Sequence, residues 1–220
     1  MKRIVAALFV QTNGAYYELK NVDPWDANRD ARKYVGPYPV VAHPPCQLWG
    51  KFAKINYARW GGEHNKPGND GGCFASALAS VRKFGGVLEH PAFTYAWKVH
   101  GLTAPKGIGW NKTGKNEWVC EVWQSAYGHL ARKRTWLFYS GENPPKDLRW
   151  ERKAGTHQIG FHDQRGKNKN KPTVSGKKAS ATPEEFRDAL LSLALGSTVS
   201  FINPRAQDAP VIPDTSLVKS

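Results

Sequence analysis

The sequence predicts an α/β fold whose sheet is parallel in at least its first half. Three short apolar runs, at residues 4–10, 39–42 and 87–88, have the character of buried strands. Helical patterns lie between them, so that strands and helices alternate at short spacing. This alternation is typical of α/β sheets.

The first part of the chain contains two predicted strands and one predicted helix. Residues 4–10 form the first strand. Asp23 and Pro24 have the residue types of a helix N-cap and first helical position, which predicts a short helix over 23–32. The second strand, 39–42, ends at a pair of prolines, because proline cannot donate a hydrogen bond to a neighbouring strand.

The middle of the chain is predicted to hold a loop, a helix and the third strand. Residues 47–69 form a long loop rich in aromatic and basic side chains. Asp70 caps the helix that follows, in which apolar residues at 74, 77, 78 and 81 recur with the helical period. Gly85 and Gly86 end this helix, and the strand at 87–88 comes next.

The second half is predicted to contain two more strands, a long loop region and a final helix. In chain order these are a helical turn at 93–99, a loop at 101–116, strands at 118–123 and 135–139, a loop region at 141–181 and a helix at 184–194. The segment Thr182-Pro183-Glu184-Glu185 has the form of a capping box with proline in the first helical position. The predicted organisation is a core at 1–140, a basic loop region at 141–181, a helix packing on the core at 182–196 and an extended tail at 197–220.

The composition favours an anionic partner. Lys and Arg number 32 against 18 Asp and Glu, which gives a formal net charge of +14. Nucleic acid is the first candidate and a membrane surface the second, although a basic charge can also serve solubility alone. The stretch 165–178 carries six basic residues and no acidic one, which suits either a solvated loop or a clamp on a phosphate backbone. The first apolar run is too short to span a membrane, so we expect DNA or a nucleotide as the partner and no membrane; the oligomeric state is not indicated.

The three cysteines form no CxxC pair, and no leader precedes the first strand. These features predict free thiols in a reducing cytoplasm. Cys73 on the apolar helix and Cys120 in a predicted strand are expected to be core residues. Cys46 differs, because it follows two prolines at a strand end.

Cys46 and Glu89 are the strongest candidates for chemistry. Both follow predicted parallel strands, in the segments His43-Pro-Pro-Cys46 and Val87-Leu88-Glu89-His90-Pro91. Ligands of open α/β sheets bind beyond the carboxyl ends of the strands, so the two side chains are expected to share one rim.

A thiol and a carboxyl group facing one ring suit the modification of a pyrimidine. The thiolate adds to C6, the acid protonates or hydrogen-bonds N3, and C5 becomes nucleophilic. Arg132 and Arg134 are candidates to bind O2 or a flanking phosphate. We expect His43 or local positive charge to lower the pKa of Cys46, since the thiolate is the nucleophile.

These segments resemble the DNA cytosine-5 methyltransferases. His43-Pro-Pro-Cys46 is similar to the family's Pro-Cys loop, Glu89 stands in the place of its Glu-Asn-Val acid, and the segment 127–136 is similar to its Arg-containing motif. The resemblance covers about 38–140. It implies a reduced, Rossmann-like methyltransferase-type sheet, phage-encoded and acting in the host cytoplasm, that modifies a flipped DNA base or a nucleotide.

The resemblance also assigns roles to residues. Cys46 is the nucleophile, Glu89 the acid, and Arg132 or Arg134 the base or phosphate contact. Other candidates for substrate binding lie beside these groups or in the aromatic–basic loop: His43, Pro45, His90, Trp49, Lys51, Tyr127 and Lys133. That loop suits base stacking with phosphate contact and ordinary packing equally.

The cofactor half departs from the family. The S-adenosylmethionine loop of the family has the form Phe-x-Gly-x-Gly, whereas the segment 7–14 has one glycine. Asp23 or Asp26 is the candidate for the acid that holds a cofactor ribose. The sequence therefore argues against an intact S-adenosylmethionine site and indicates no other cofactor.

Two other functions remain open. A zinc hydrolase or deaminase would gather His43, Cys46, Glu89 and His90 around the metal, although their spacing fits no standard zinc pattern. A noncatalytic DNA-binding protein would keep the fold without the reaction.

Overall fold

A central mixed sheet organises the molecule. A computed structural model describes residues 4–50, 52–159 and 170–197, and within them seven strands pair in the order β2-β1-β3-β4-β7-β6-β5. The strands are β1 (Val5–Leu8), β2 (Val22–Trp25), β3 (Val40–Ala42), β4 (Gly86–Pro91), β5 (Asn111–Lys112), β6 (Glu117–Trp123) and β7 (Arg134–Ser140). Strands β1 to β4 are parallel, and β7, β6 and β5 continue the sheet with antiparallel pairings.

Helices cover the sheet and connect its strands. They are α1 (Ala53–Trp60), α2 (Cys73–Phe84), α3 (Tyr95–Val99), α4 (Gly176–Ser180) and α5 (Glu184–Gly196). A separate short parallel pair is formed by β8 (Gln158–Ile159) and β9 (Thr173–Val174). No helix in the described ranges is both long and apolar enough to span a membrane.

The core lies on both faces of the sheet. On one face, Phe186 and Leu190 of α5 pack with Val41 and Val87. On the other face, Phe74 of α2 and its apolar neighbours cover the alternate strand residues. Because the parallel strands are buried on both faces, they are apolar at successive positions rather than at every second one.

Much of the predicted element order is confirmed. The structure has strands at all three apolar runs, and the first half of the sheet is parallel. Helix α2 begins beside Asp70, whose carboxylate accepts hydrogen bonds from the backbone N–H groups of Gly72 and Phe74. The predicted helical turn at 93–99, the two later strands and the final helix are also present.

The helix predicted over 23–32 is wrong. Val22–Trp25 is strand β2, which pairs in parallel with β1, and only Ala31–Lys33 forms a single 3₁₀ turn. Pro24 is tolerated because β2 lies at the edge of the sheet, where one row of backbone donors needs no partner strand. Pairing with β1 therefore overrides the local signal for a helix N-terminus.

Two further local predictions need correction. The predicted loop at 47–69 contains helix α1 and 3₁₀ turns at Gln47–Trp49 and Glu63–Asn65. Helix α5 has Pro183 as its N-cap with no side-chain cap hydrogen bond, so the capping box does not form. The predicted tail beyond Ser197 and residues 160–169 of the basic loop region lie outside the described residues.

Candidate active site

The carboxyl ends of β1, β3 and β4 form the candidate site. Strand β2 pairs with one edge of β1, and β3 pairs with the other edge. The strand order in the sheet therefore reverses direction at β1. In open α/β sheets this reversal opens a crevice between the loops that follow the two central strands. Here the loop after β1 carries Tyr16, and the loop after β3 carries His43 and Cys46.

His43 links the two loops to β4. Its backbone N–H donates to the carbonyl of Leu8 at 3.0 Å, which fixes the start of the loop against β1. Its Nε2 lies 2.8 Å from the hydroxyl of Tyr16, and its Nδ1 lies 3.1 Å from Oε2 of Glu89. A hydrogen-bonded chain therefore runs from Tyr16 through the imidazole to the carboxylate.

Gln124 holds Glu89 from the other side. The Gln124 Nε2 donates to Oε1 of Glu89 at 3.1 Å and to Oγ1 of Thr135 at 3.0 Å. The Oε1 of Gln124 is buried and has no hydrogen-bond partner among the described residues. Both oxygens of Glu89 are thus hydrogen-bonded, which fixes the plane of its carboxyl group.

The Glu89 side chain is a buried carboxylate. Burial raises its pKa, but the hydrogen bond and charge of His43, with help from Lys133, outweigh that effect, and the net pKa lies below its ordinary value. A carboxylate that accepts two hydrogen bonds in a buried site is stabilised in its charged form. At neutral pH, Glu89 is therefore ionised, and its lowered pKa makes it a weaker base than an ordinary carboxylate.

The Cys46 side chain is exposed to solvent. Local desolvation of the sulfur raises its pKa, the negative charge of Glu89 raises it further, and Lys133 opposes both. The expectation that His43 or local positive charge lowers the thiol pKa is therefore wrong. The same interactions establish that Glu89 and Lys133 both lie within electrostatic reach of the sulfur.

Lys133 is the basic residue at this site. Its Nζ donates to the carbonyl oxygens of Ser180 and Ala181, each at 3.0 Å. Desolvation lowers its pKa, and the charges of Glu89 and Cys46 raise it. Its backbone has φ +31, a conformation that non-glycine residues adopt at a cost of about 1–3 kcal/mol.

Arg132 and Arg134 point elsewhere. Arg134 makes a bidentate ion pair with Glu121, with its Nε 2.7 Å and its Nη2 2.8 Å from the two carboxylate oxygens. The guanidinium of Arg132 lies over the Trp123 ring, 5.0 Å from the centroid. The charge of Lys133, rather than that of either arginine, therefore acts on the pKa values of Cys46 and Glu89.

His90 lies on the opposite face of the sheet from Glu89. Its buried ring packs against Phe74 and Trp97, with centroid distances of 5.2 and 6.4 Å. The Pro45 carbonyl weakly raises the pKa of this ring, but neither ring nitrogen makes a hydrogen bond of normal geometry with a described residue. Burial lowers the pKa of His90 to about 4, and the structure does not bring its ring together with Glu89.

The four residues of the zinc hypothesis do not converge. His43 and Glu89 interact on one face of the sheet, while His90 lies on the other. Among the described residues, no group of three or more His, Cys, Asp or Glu side chains is arranged to hold a metal ion.

The remaining substrate-binding candidates have varied positions. Trp49 is buried, and its Nε1 donates to Oδ2 of Asp70 at 2.8 Å. Tyr127 is buried against Phe186, and its hydroxyl accepts from the backbone N–H of Arg149. Pro45 is exposed, and Lys51 lies outside the described residues.

The cofactor candidates at β2 are engaged by the protein itself. Asp26 is buried and accepts hydrogen bonds from Thr12, Tyr17 and the backbone N–H groups of Asn28 and Arg29. These bonds lower the pKa of Asp26, the one from Thr12 most strongly. Asp23 accepts from Trp25 and Arg29. Because both carboxylate oxygens of Asp26 already accept hydrogen bonds from the protein, Asp26 does not fit the role of holding a cofactor ribose.

The other two cysteines differ in burial. Cys120 is fully buried within β6, as predicted for a core residue. Cys73 begins α2 and is partly exposed, so the core prediction does not hold for it.

Sequence reasoning missed Tyr16 and Gln124. Tyr16 follows the first strand in a turn-rich segment and contacts the site only because the loops after β1 and β3 are neighbours. Gln124 follows β6, which is distant from β4 in sequence. No local pattern distinguishes either residue.

Comparisons with known proteins identify no relative. No protein-family model, curated protein or solved structure matches this chain. The geometry itself must therefore support any functional assignment.

Proposed function

We propose that this protein modifies a pyrimidine of DNA or of a nucleotide by adding the Cys46 thiol to C6, on a reduced Rossmann-like sheet of the methyltransferase type. The observation that carries the proposal is the position of the thiol. Cys46 is exposed just beyond β3, within reach of the charges of Glu89 at the end of β4 and of Lys133.

The proposed reaction begins with a proton transfer. The Cys46 thiol gives its proton to the Glu89 carboxylate, whose lowered pKa means that it starts without one. The thiolate then forms a bond to C6 of cytosine. The C5=C6 electron pair moves to form C4=C5, the N3=C4 pair moves onto N3, and Glu89 passes its proton to N3.

Lys133 and His43 assist these steps in different ways. The Lys133 ammonium stabilises the negative charge on sulfur and carboxylate. His43 and Gln124 hold the carboxyl group in one orientation, so its proton can be aimed at one ring nitrogen.

The adduct is an enamine whose C5 accepts an electrophile. With water as the proton source, C5 takes up a solvent proton, loses its original hydrogen and expels the cysteine. The reaction therefore exchanges the C5 hydrogen without any further reagent, which makes the proposal testable before a transferred group is known.

The test measures deuterium uptake at C5. Deoxycytidine monophosphate and cytosine-containing DNA are incubated with the protein in D₂O, and the nucleosides are analysed by mass spectrometry. We expect exchange with the wild type and with Cys73→Ser, a loss with Cys46→Ser, and a reduction of about 10²–10⁴-fold with Glu89→Gln. Exchange that persists in Cys46→Ser, or none in the wild type, would refute the reaction.

A noncatalytic DNA-binding function is the second candidate. It is favoured by the raised pKa of Cys46, because a thiol that stays protonated is a poor nucleophile. The expected result is then DNA binding that is equal in the wild type and Cys46→Ser, with no exchange at C5 in either.

A further inference from the structure

A groove beside Cys46 combines aromatic and basic side chains. It is lined mainly by Leu48, Trp49, Ala53, Lys54, Phe93 and Tyr95. None of the described residues that line it is acidic. Its lining does not include Cys46 or Glu89, and Trp49 packs against Phe74 on the face of the sheet opposite Glu89, so the groove is a separate feature of the molecule.

The two sides of the groove are formed by residues that follow Cys46 and Glu89 closely in the chain. Trp49 lies three residues after Cys46, and its backbone N–H donates to the Cys46 carbonyl at 3.0 Å. Phe93 lies four residues after Glu89, between β4 and α3. A polymer whose reacting unit sits at Cys46 would therefore reach this groove along the short segment from Cys46 to Trp49.

The backbone conformation and the solvent exposure of Phe93 are both unusual for an aromatic residue. Its backbone has φ +64, and 64% of the residue is exposed to solvent. The Arg134 guanidinium lies 4.5 Å from the centroid of its ring, and Glu121 fixes that guanidinium. Strained backbone of this kind is concentrated at ligand clamps and active sites.

Tyr95 and Lys54 form another part of the groove lining. The Lys54 Nζ lies 5.6 Å from the centroid of the Tyr95 ring, which is partly exposed. Helix α1, which supplies Lys54, buries only Ala53. It leaves Ile55 and Trp60 exposed by 59% and 67% and also carries Arg59.

We propose that this groove binds the single-stranded DNA that flanks the target pyrimidine, with bases stacking on Phe93 and Tyr95 and a phosphate pairing with Lys54. Exposed aromatic rings interleaved with cations suit unpaired bases, because each base offers a π face and each linkage a negative charge. In a duplex, those faces are already covered by neighbouring base pairs. The net charge of +14 complements the polyanion.

This inference rests on the proposed function for the choice of DNA as the polymer and for the position of the target base at Cys46. A groove that holds the flanking strand would keep the target base outside a helix. A strand that is already single needs no flipping, so its bases reach the site without the cost of unstacking a duplex.

The test is binding of a labelled single-stranded oligodeoxynucleotide, measured by fluorescence anisotropy. We expect Phe93→Ala to weaken binding about 5- to 150-fold, the range for loss of one stacked base. Phe93→Trp should restore binding, because it keeps a stacking ring. Lys54→Ala should lower the slope of log affinity against log salt by about 0.7, the value for one phosphate contact on a single strand.

The matched control removes the same kinds of side chain elsewhere. Lys106 and Ile108 are exposed in the loop before β5, and Lys106→Ala with Ile108→Ala deletes one cation and one exposed apolar side chain, as Lys54→Ala with Phe93→Ala does. Circular dichroism establishes that each variant is folded. The inference is overturned if both double variants bind the strand equally well, or if the wild type binds the duplex or an RNA strand of the same sequence more tightly.

Failure of this inference can be told apart from failure of the proposed function. Binding through Phe93 without deuterium exchange at C5 would refute only the reaction. Exchange on deoxycytidine monophosphate, with single-strand binding unaffected by the Phe93 variants, would refute only the groove.

Discussion

Protonation of the buried His90 is expected to destabilise the fold in mild acid. The ring is 1% exposed and lies against Phe74 and Trp97, with no normal hydrogen bond to either nitrogen. Burial lowers its pKa from 6.5 to about 4, an effect that the negative charges of Glu89 and Asp70 only partly oppose. The native state therefore keeps the ring neutral over a range in which the unfolded chain binds a proton.

The size of this effect follows from the two pKa values. Because the unfolded state binds more protons between pH 6.5 and 4, the free energy of unfolding falls as the pH is lowered through that range. A difference of about 2.5 pKa units corresponds to about 3 kcal/mol when fully expressed. Between pH 7.5 and 4.5 most of it is expressed, which gives about 2.5 kcal/mol.

Substitution of His90 by phenylalanine isolates this contribution. His90→Phe keeps an aromatic ring between Phe74 and Trp97 and removes both unpaired nitrogens, so we expect it to be at least as stable as the wild type at pH 7.5. At pH 4.5 it should be more stable than the wild type by about a further 2.5 kcal/mol. Urea unfolding followed by circular dichroism at a series of pH values measures both quantities.

A non-titrating core variant provides the control. Leu88→Val lies on the same strand and face and should lower stability by about 1 kcal/mol at every pH. If the difference between the wild type and His90→Phe is the same at pH 7.5 and 4.5, His90 does not stay neutral in the native state and the reasoning fails.

Two further predictions test the thiol and the sheet. Alkylation of Cys46 by iodoacetamide at pH 8, followed by peptide mass spectrometry, should be faster in Glu89→Gln and slower in Lys133→Met than in the wild type, because Glu89 raises and Lys133 lowers the pKa of the thiol; equal rates would contradict this arrangement. Gly86→Ala should lower the free energy of unfolding, measured by urea unfolding, by more than about 4 kcal/mol. The added Cβ would overlap the Val40 carbonyl, and the backbone at residue 86 has φ +117. The control Gly101→Ala, at φ +68 in open space, should cost about 1 kcal/mol, and equal losses would count against the steric argument.

The parts of the fold that the sequence predicts are those with a clear apolar pattern. The strands β1 and β3 are short apolar runs, and α5 has an apolar face that packs on the sheet. Helix α1 is missed because it turns only Ala53 to the core, so no apolar period identifies it. Strand β2 is missed because its pairing with β1 is not encoded in its own residues.

As with the fold, only part of the candidate site can be predicted from the sequence. The positions of Cys46 and Glu89 follow from two strand ends, which sequence alone can indicate. The choice among three consecutive basic residues cannot be made that way. Arg132 and Arg134 both lie over Trp123. Lys133, between them, has a left-handed backbone with φ +31, and its charge acts on Cys46 and Glu89 instead.

The two pKa shifts at the site oppose a resting thiolate, and they also oppose transfer of the thiol proton to Glu89 before a ring is bound. A thiolate beside an ionised Glu89 would place two negative charges together, which is why the carboxylate raises the pKa of the thiol. A neutral thiol next to a carboxylate stores the one proton that N3 must receive, and transfer to Glu89 moves it towards the ring as sulfur attacks. On this view, the raised pKa of Cys46 is compatible with catalysis when a ring is present to accept the proton. The deuterium exchange measurement distinguishes this case from an inert thiol, since only a proton delivered to the ring opens C5 to solvent.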